Sequence, residues 1–242
     1  MSLVAKLVLS PLLVAQALAT RRRALLLPEA GGERRGSVGS GQRRLRLLIV
    51  GDSSGAGVGV PTQDIALAGY LSRTLAEAAQ ATVRWQLVAQ SGVTSSQALA
   101  LVQRERPDRA DVAVVVLGVN DVIDQVPSQR AVQHRAALAD WLRDHAAVRH
   151  VVFAPLPPVH LFPLLPQPLR WVMGRDARRH DAAVARWAAS RDDVSHVPID
   201  MQLDASCMAA DGFHPGEPVY RVCGETLGRH VAMLPFPSEE TT

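Results

Sequence analysis

The sequence predicts a three-layer α/β/α sandwich built on a parallel sheet of about five strands. Short β-rich runs alternate with intervals of helical periodicity, the pattern of a parallel sheet covered by helices on both faces. The run "VAVVVLG", residues 112–118, is apolar without alternation, as expected of a central strand buried on both faces. With 242 residues, 48% of them hydrophobic, the chain can bury one substantial core.

Five β-rich runs and five helical intervals give the order of the elements. The strand candidates are LRLLIV (45–50), VRWQLVA (83–89), DVAVVVLG (111–118), HVVFAPL (150–156) and VSHVPI (194–199). The intervals with helical periodicity are 63–80, 94–105, 128–146, 176–190 and 217–232. Together they predict a folded domain over residues 45–235 and a tail at 236–242. Working groups in such sheets gather beyond the carboxyl ends of the strands, and every polar motif discussed below falls at such an end.

Residues 1–27 are predicted to form an apolar leader. The run "LVLSPLLVAQALA" (7–19) ends in Ala-Leu-Ala, as a secretory signal peptide does, but the arginines at 21–23 follow at once and oppose translocation. The run is also shorter than the ~20 residues that span a bilayer. We therefore expect residues 3–23 to lie at a membrane surface, with the folded domain on the cytoplasmic side. Export to the periplasm or secretion, and an apolar helix docked on the domain, are the alternatives.

Residues 28–44 are interpreted as a linker, because they are rich in Gly, Ser and Arg and contain no apolar periodicity. The net charge of +3 comes from the N-terminal part of the chain. Residues 1–46 hold nine basic and two acidic residues, a net +7, whereas the remainder holds 17 basic and 21 acidic residues, a net −4. Nucleic-acid binding needs a cationic patch on the folded body, so the sequence predicts no such partner.

Cys207 and Cys223 are sixteen positions apart and lack the CxxC spacing of a zinc or redox site. Free cysteine is among the most often buried residue types. We therefore expect free thiols, with a disulfide between the two as the alternative.

The stretch "LLIVGDSSGAGVG", residues 47–59, runs from an apolar strand into a Gly-Asp-Ser-Ser turn. Its glycines do not match the G-x-G-x-x-G spacing of a dinucleotide site, and it has no P-loop lysine, so a nucleotide-binding module is disfavoured. What remains is Ser53 directly beyond a buried strand, where a nucleophile can project above the sheet. The alternative is that Asp52, Ser53 and Ser54 only satisfy the backbone of a turn.

Two further strand ends offer hydrogen-bond donors. The third strand run is followed by "VND", which places Asn120 in the same layer as Ser53. An asparagine amide there can donate to the oxyanion that forms when a serine attacks a carbonyl. Gly92, after the second strand, can bring its backbone N–H close to the same oxygen. Each residue alone is also typical of an ordinary loop.

Near the C-terminus stands "DGFHPGEP", with Asp211 and His214 three positions apart. A carboxylate at this distance can hold the imidazole Nδ1–H while Nε2 faces a serine. Pro215 can open the last helix at its first position. A metal site would need further ligands close by, and none is evident in the sequence.

Taken together, "GDSS" (51–54), Gly92, "GVND" (118–121) and "DGFH" (211–214) resemble the four blocks of the SGNH hydrolases, a branch of the GDSL esterases and lipases. The blocks occur in the family's order, and the resemblance covers residues 45 to about 234. It implies a flavodoxin-like strand order 2-1-3-4-5 and no cofactor. The implied nucleophile is Ser53, the base His214 with Asp211 behind it, and the oxyanion donors Ser53 N–H, Gly92 and Asn120. The leucine of the GDSL motif is Ser54 here.

Substrate class is predicted from residues 155–174, which hold six prolines and a group of apolar side chains. Leu161, Phe162 and Trp171 are candidate substrate-binding residues, and they favour short to medium acyl esters, lysophospholipids or thioesters. A carbohydrate O-acetyl ester is the alternative substrate. Because fold alone does not establish activity, a catalytically silent scaffold recruited to a membrane through the leader is the alternative from another class.

Overall fold

A computed structural model describes residues 3–200 and 204–235, so the predicted tail at 236–242 lies outside the described residues. A single sheet lies between two layers of helices. Its strands are β1 (Arg35–Val38), β2 (Arg43–Gly51), β3 (Ala81–Ala89), β4 (Val112–Val116), β5 (His150–Phe153) and β6 (Val194–His196). The helices are α1 (Leu3–Arg23), α2 (Leu67–Ala78), α3 (Ser95–Glu105), α4 (Val119–Ile123), α5 (Ser128–Ala146), α6 (Leu169–Ala188) and α7 (Glu217–Ala232).

The strand order across the sheet is β1-β3-β2-β4-β5-β6. Strands β2 to β6 are parallel, and they are the five strands that the sequence predicts. Counted among themselves, their order is 2-1-3-4-5, so the order implied by the family resemblance is confirmed. The carboxyl ends of β2, β3 and β4 therefore meet at one edge of the sheet.

The two faces of the sheet carry two separate cores. Along β2, Leu47 and Ile49 point to the face covered by α2 and α7, whereas Leu48 and Val50 point to the face covered by α3, α5 and α6. All four side chains are fully buried. Burial on both faces explains why the central strands are apolar at every position.

The linker prediction for residues 28–44 is wrong in part. Residues Arg35–Val38 form β1, an antiparallel edge strand on β3, and Ala30 is already buried in the core. Three of the four β1 residues are exposed, so no buried apolar stripe marks the strand in the sequence. Gly36 helps the pairing, because a Cβ there would lie 2.8 Å from the indole nitrogen of Trp85.

Two helices differ from their predicted bounds. The interval 63–80 holds a 3-10 turn at Gln63–Ile65 before α2, and α6 begins seven residues earlier than the predicted 176. The prolines of the 155–174 segment end at Pro168, and Pro168 is itself the residue that precedes the first turn of α6. The prolines at 155–168 therefore obscure, in the sequence pattern, the start of a helix that begins directly after them.

The predicted leader is helical, and α1 packs against α6. The helix therefore contacts the domain, and the location of residues 3–23 at a membrane surface stays a prediction. Within residues 3–200 and 204–235, no helix combines the length and the hydropathy that crossing a bilayer demands.

Candidate active site

Ser53 lies in the turn after β2, at the carboxyl edge of the sheet. The strands on either side fix this turn. The Asp52 N–H donates to the carbonyl of Val116 at the end of β4 (3.1 Å), and the Gln90 N–H, just beyond β3, donates to the carbonyl of Gly51 (3.2 Å). Because two neighbouring strands hold the turn, the Ser53 hydroxyl has a defined position above the sheet.

The structure brings Ser53, His214 and Asp211 together. His214 Nε2 lies 3.0 Å from Ser53 Oγ, and His214 Nδ1 lies 2.5 Å from Asp211 Oδ2. The other Asp211 oxygen accepts the backbone N–H groups of Phe213 and His214, each at 2.9 Å. Burial disfavours the charged carboxylate, but these hydrogen bonds outweigh it and lower the pKa of Asp211. Asp211 therefore stays ionised behind the imidazole.

The loop that carries His214 is fixed to the rest of the site. Ala209 N–H donates to the carbonyl of His214 (2.9 Å). The buried hydroxyl of Tyr220, in the first turn of α7, donates to the carbonyl of Val58 (2.6 Å), which lies in the loop after Ser53. The nucleophile loop and the histidine loop are thus tied together from the side of α7.

The predicted oxyanion donors lie near the nucleophile. Asn120 Nδ2 donates to the carbonyl of Val93 (3.0 Å) and more weakly to Asp52 Oδ2 (3.5 Å). Gly92 precedes Val93 and has a φ of +83°, with nothing within 4 Å of where a Cβ would be. Ser53 and Asn120 line one cleft with His214. Gly92 is adjacent to that group through Val93 but is not part of the cleft wall.

A buried charge cluster beneath Asn120 was not found from the sequence. Asp121 accepts the Ser95 N–H (3.1 Å), the Ser95 hydroxyl (2.5 Å) and the Arg135 guanidinium (3.3 Å). The same guanidinium donates to the carbonyl of Leu117 (3.0 Å). Asp121, Ser95 and Arg135 are all at most 1% exposed. The cluster fixes the loop between β4 and α4, and with it the backbone from which Asn120 projects.

Asp52 is the second carboxyl buried at this edge. Burial raises its pKa to about 6, and the nearby charge of Asp121 adds to the effect. The Ser54 N–H, which donates to Asp52 Oδ1 at 3.0 Å, and the charges of His214 and Arg135 act in the opposite direction. The sequence position of Asp52 suggests only a turn residue, whereas in the structure its Oδ2 lies 3.5 Å from the amide nitrogen of Asn120.

The cleft above the nucleophile is largely apolar. Besides Ser53, Asn120 and His214, its wall contains Pro157, Phe162, Met208, Phe213 and Val219.

The three candidate substrate-binding residues differ in their position relative to the cleft. Phe162 is 3% exposed and lines the cleft, and its ring packs edge-on against Phe213 with centroids 5.2 Å apart. Leu161 and Trp171 are each 43% exposed and do not line it. Phe162 therefore lies where the sequence places a binding wall, and the binding role of all three residues stays a prediction. Leu161 ends a 3-10 turn and Trp171 lies in the first turn of α6, and both side chains are partly exposed to solvent.

The cysteine prediction is confirmed, since Cys207 and Cys223 are both free thiols. Burial raises the pKa of Cys223 to about 12, so its thiol stays protonated. Among residues 3–200 and 204–235, no group of three or more His, Cys, Asp or Glu side chains could hold a metal ion.

A serine, a histidine and an aspartate in this geometry, at the carboxyl edge of a parallel α/β sheet, define the class of serine hydrolases. Residues 49–222 match the GDSL-like Lipase/Acylhydrolase family. The chain belongs to that family, and the resemblance seen in the sequence is confirmed. A GDSL-like esterase of Mycobacterium tuberculosis is 28% identical over 193 residues. That match covers 76% of this chain and 60% of the relative, so the chain spans less than two thirds of the relative's length.

Solved structures share the fold. The esterase EstA from Pseudoalteromonas sp., in a structure inhibited by monoethylphosphonate, is 19% identical and covers 77% of this chain and 98% of its own, with a TM-score of 0.55. The structure of TesA is 25% identical, with 74% and 94% covered and a TM-score of 0.53. A family 3 carbohydrate esterase of Clostridium thermocellum is 17% identical, with 78% and 100% covered and a TM-score of 0.58.

The raised pKa of Asp52 predicts a pH-dependent stability. The folded pKa, about 6, lies above the unfolded value of roughly 3.9, so the folded state keeps its proton longer. As the pH rises from about 4 to about 6, the free energy of unfolding should therefore decrease, and this group should contribute on the order of 2 to 3 kcal/mol to the decrease. Asp52→Asn cannot titrate and should lack this component in urea unfolding.

The matched control is Asp64→Asn, at an exposed carboxyl near the start of α2. Its unfolding free energy should follow the wild-type pH profile. Parallel profiles for Asp52→Asn and the wild type would contradict the buried, proton-retaining state of Asp52.

Proposed function

We propose that the chain hydrolyses carboxylic esters with short to medium acyl chains through an acyl-enzyme on Ser53. The observation that carries this proposal is the continuous line of hydrogen bonds from Ser53 Oγ through His214 to Asp211, at 3.0 and 2.5 Å. A serine hydroxyl is a weak nucleophile near neutral pH and needs such an adjacent base. The intact line also argues against a catalytically silent scaffold.

In the first half of the reaction, Ser53 Oγ attacks the ester carbonyl carbon while His214 Nε2 takes the hydroxyl proton. The carbonyl oxygen becomes an oxyanion. Asp211 stabilises the imidazolium through Nδ1 and keeps its own charge. When the tetrahedral intermediate collapses, His214 returns the proton to the alkoxide, the alcohol leaves, and the acyl group remains on Ser53.

In the second half, a water molecule gives a proton to His214 and attacks the acyl carbon. Collapse of the second intermediate returns that proton to Ser53 Oγ and releases the carboxylic acid. The base thus takes and returns one proton in each half, and the enzyme ends as it began.

The oxyanion is held by the N–H groups of Ser53 and Gly92 and by the amide of Asn120. Neither backbone N–H donates to a backbone acceptor among residues 3–200 and 204–235, so neither is committed elsewhere in the backbone. Gly92 does not line the cleft wall, and its role as a donor rests on the family resemblance. Asn120 is fixed by its 3.0 Å bond to Val93, while its contact with Asp52 is long. The oxyanion can replace Asp52 as the acceptor of that second hydrogen. Each such donor stabilises the transition state by roughly 3 kcal/mol.

The acyl chain is assigned to the apolar wall of the cleft. Phe162, Met208 and Phe213 flank the nucleophile, and burying methylene groups against them is favourable by roughly 0.8 kcal/mol each. Short to medium acyl esters, lysophospholipids and acyl thioesters share this feature. A carbohydrate O-acetyl ester would bring a polar ring instead, for which the cleft wall offers few partners.

We place the catalytic body on the cytoplasmic side of a membrane, with export as the alternative. The support is the arginine cluster at 21–23, which directly follows the apolar part of α1. Positive charge after an apolar segment tends to stay cytoplasmic.

Removal of the nucleophile or the base should abolish turnover. Ser53→Ala and His214→Ala should each lower kcat/KM for a p-nitrophenyl ester by ~10³-fold or more, with unchanged far-UV circular dichroism and Tm. Ser54→Ala is the control, because this hydroxyl is adjacent but is not bonded to the histidine, and it should keep near wild-type activity. Near-normal turnover of either triad variant would remove the assignment.

Asn120→Ala should lower kcat by about 100-fold without abolishing it, and KM should change little, since the lost hydrogen bond forms mainly in the transition state. Asp124→Ala, at an exposed side chain just after α4, should behave as wild type. Steady-state kinetics that are identical for Asn120→Ala and wild type would mean that the oxyanion lies elsewhere.

Phe162→Ala should selectively impair esters with medium acyl chains. We expect KM for the hexanoate ester to rise roughly tenfold, from the loss of apolar contact, with a smaller change for the acetate ester. Leu161→Ala, the exposed neighbour outside the cleft, should leave both unchanged. An equal change in KM for all chain lengths, or a clear preference of the wild type for acetylated sugars, would contradict the assignment of Phe162, Met208 and Phe213 as the acyl wall, the surface that binds the acyl chain.

A further inference from the structure

Helix α1 is clamped to the start of α6 by one glutamine. Gln16 Nε2 donates to the carbonyl of Gln167 (2.7 Å), and Gln16 Oε1 accepts the N–H of Leu169 (3.1 Å). Leu169 is the first residue of α6, and the residue before it, Pro168, provides no side-chain cap. Backbone N–H groups in the first turn of a helix lack intrahelical acceptors, so Gln16 supplies a cap from a distant part of the chain.

The exposed positions of α1 between residues 11 and 19 are all apolar. Leu13, Gln16 and Thr20 are partly buried, whereas Val14 and Leu18 are 57% and 53% exposed. Residues four positions apart share one side of a helix, so Val14 and Leu18 form an outward apolar stripe. A helix on the surface of a water-soluble domain normally directs polar side chains outward. The outward side of α1 is therefore a candidate surface for contact with a second apolar environment.

The charges near this stripe indicate what that environment is. The last turn of α1 holds Arg21, Arg22 and Arg23. Trp171, in the first turn of α6, is half-exposed. The Arg175 guanidinium lies over its ring, 5.7 Å from the ring centroid. Aliphatic side chains, an amphipathic tryptophan and clustered arginines together fit the interface of an anionic lipid bilayer. A second protein copy would need acidic groups opposite the arginines.

The same segment reaches the catalytic histidine. Leu13 packs against the apolar cluster that contains Phe162, and Phe213 packs against the same cluster. The Phe213 ring stacks edge-on against both Phe162 and His214, with centroid distances of 5.2 Å in each case. Further along, the Leu164 N–H donates to the carbonyl of Gly212 (3.2 Å). The docked helix, the acyl wall and the histidine loop are therefore one packed unit.

We propose that the outward stripe of α1, with Trp171 and the arginines at 21–23, docks on an anionic lipid surface, and that Gln16 couples this helix to the acyl wall. The cleft then receives amphiphilic acyl esters presented at that surface. The docking rests only on the features of α1 and α6. The substrate class also rests on the proposed ester hydrolysis.

The docking is tested without turnover, using the full chain with Ser53→Ala. The probes are vesicles of phosphatidylcholine alone and of phosphatidylcholine mixed with phosphatidylglycerol. The chain should sediment with the mixed vesicles and much less with the neutral ones. Val14→Glu with Leu18→Glu should weaken this binding by at least about tenfold. Val222→Glu, at an equally apolar, 43% exposed position on α7, should bind as the parent does.

Three results would overturn the docking proposal. The first is that the chain does not sediment with the mixed vesicles. The second is that Val14→Glu with Leu18→Glu binds these vesicles as tightly as the parent does. The third is that the parent is a dimer in size-exclusion chromatography and that only this double variant is a monomer. In the chain with Ser53 restored, the double variant should hydrolyse a water-soluble acetate ester at the wild-type rate. Inactivity of the wild type on every ester would refute the proposed function while leaving vesicle binding intact, so the two failures are distinguishable.

The coupling has its own variant. Gln16→Ala should keep vesicle binding, because the outward stripe is unchanged, but it should raise KM for a medium-chain ester and leave kcat for the acetate ester unaltered. Thr20→Ala, on the same side of α1, is the control and should change neither value. Wild-type KM in Gln16→Ala would refute the coupling.

Discussion

The hydrogen bond between Ser53 and His214 joins residues 161 positions apart, and it forms only when the whole domain is folded. Neither residue can reach the other through local structure. Ser53 depends on β2 between β3 and β4, and His214 depends on the loop that α7 anchors through Tyr220. A shift of either loop by 1 Å would move the pair outside hydrogen-bond range. The two packed faces of the sheet therefore determine the reactivity of a single hydroxyl.

The same edge of the sheet carries charges that cost stability. Asp52 and Asp121 are almost fully buried and lie close enough to affect each other electrostatically. Ser95 and Arg135 donate to Asp121, whereas Asp52, within the part of the chain that the structure describes, accepts only the backbone N–H of Ser54 and a long contact from Asn120. Burying ionisable groups is expensive unless they are paired. Both carboxyl groups lie beneath Asn120 and help to fix its amide. A rigid amide is a better oxyanion donor than a mobile one, which accounts for the burial of these groups despite its cost in stability.

Much of this arrangement could be predicted from local patterns. The apolar runs fixed the five parallel strands, and four short motifs identified Ser53, Gly92, Asn120 and the pair Asp211 and His214. Strand β1 escaped prediction because an exposed edge strand has no buried stripe. Ser95 and Arg135 escaped because they act only through a tertiary contact with Asp121, which no spacing encodes. Leu161 and Trp171 lie outside the cleft wall, because the fold puts them in a 3-10 turn and in the first turn of α6, with orientations that no sequence pattern encodes.

The central claim is that Ser53 is a nucleophile activated by His214. It is tested most directly by labelling the protein with a fluorophosphonate probe and mapping the modified peptide by mass spectrometry. The account predicts one adduct, on Ser53, that heat denaturation or loss of the His214 imidazole prevents. Labelling of another residue, such as Ser54 or Ser95, or labelling that persists without the imidazole, would contradict it.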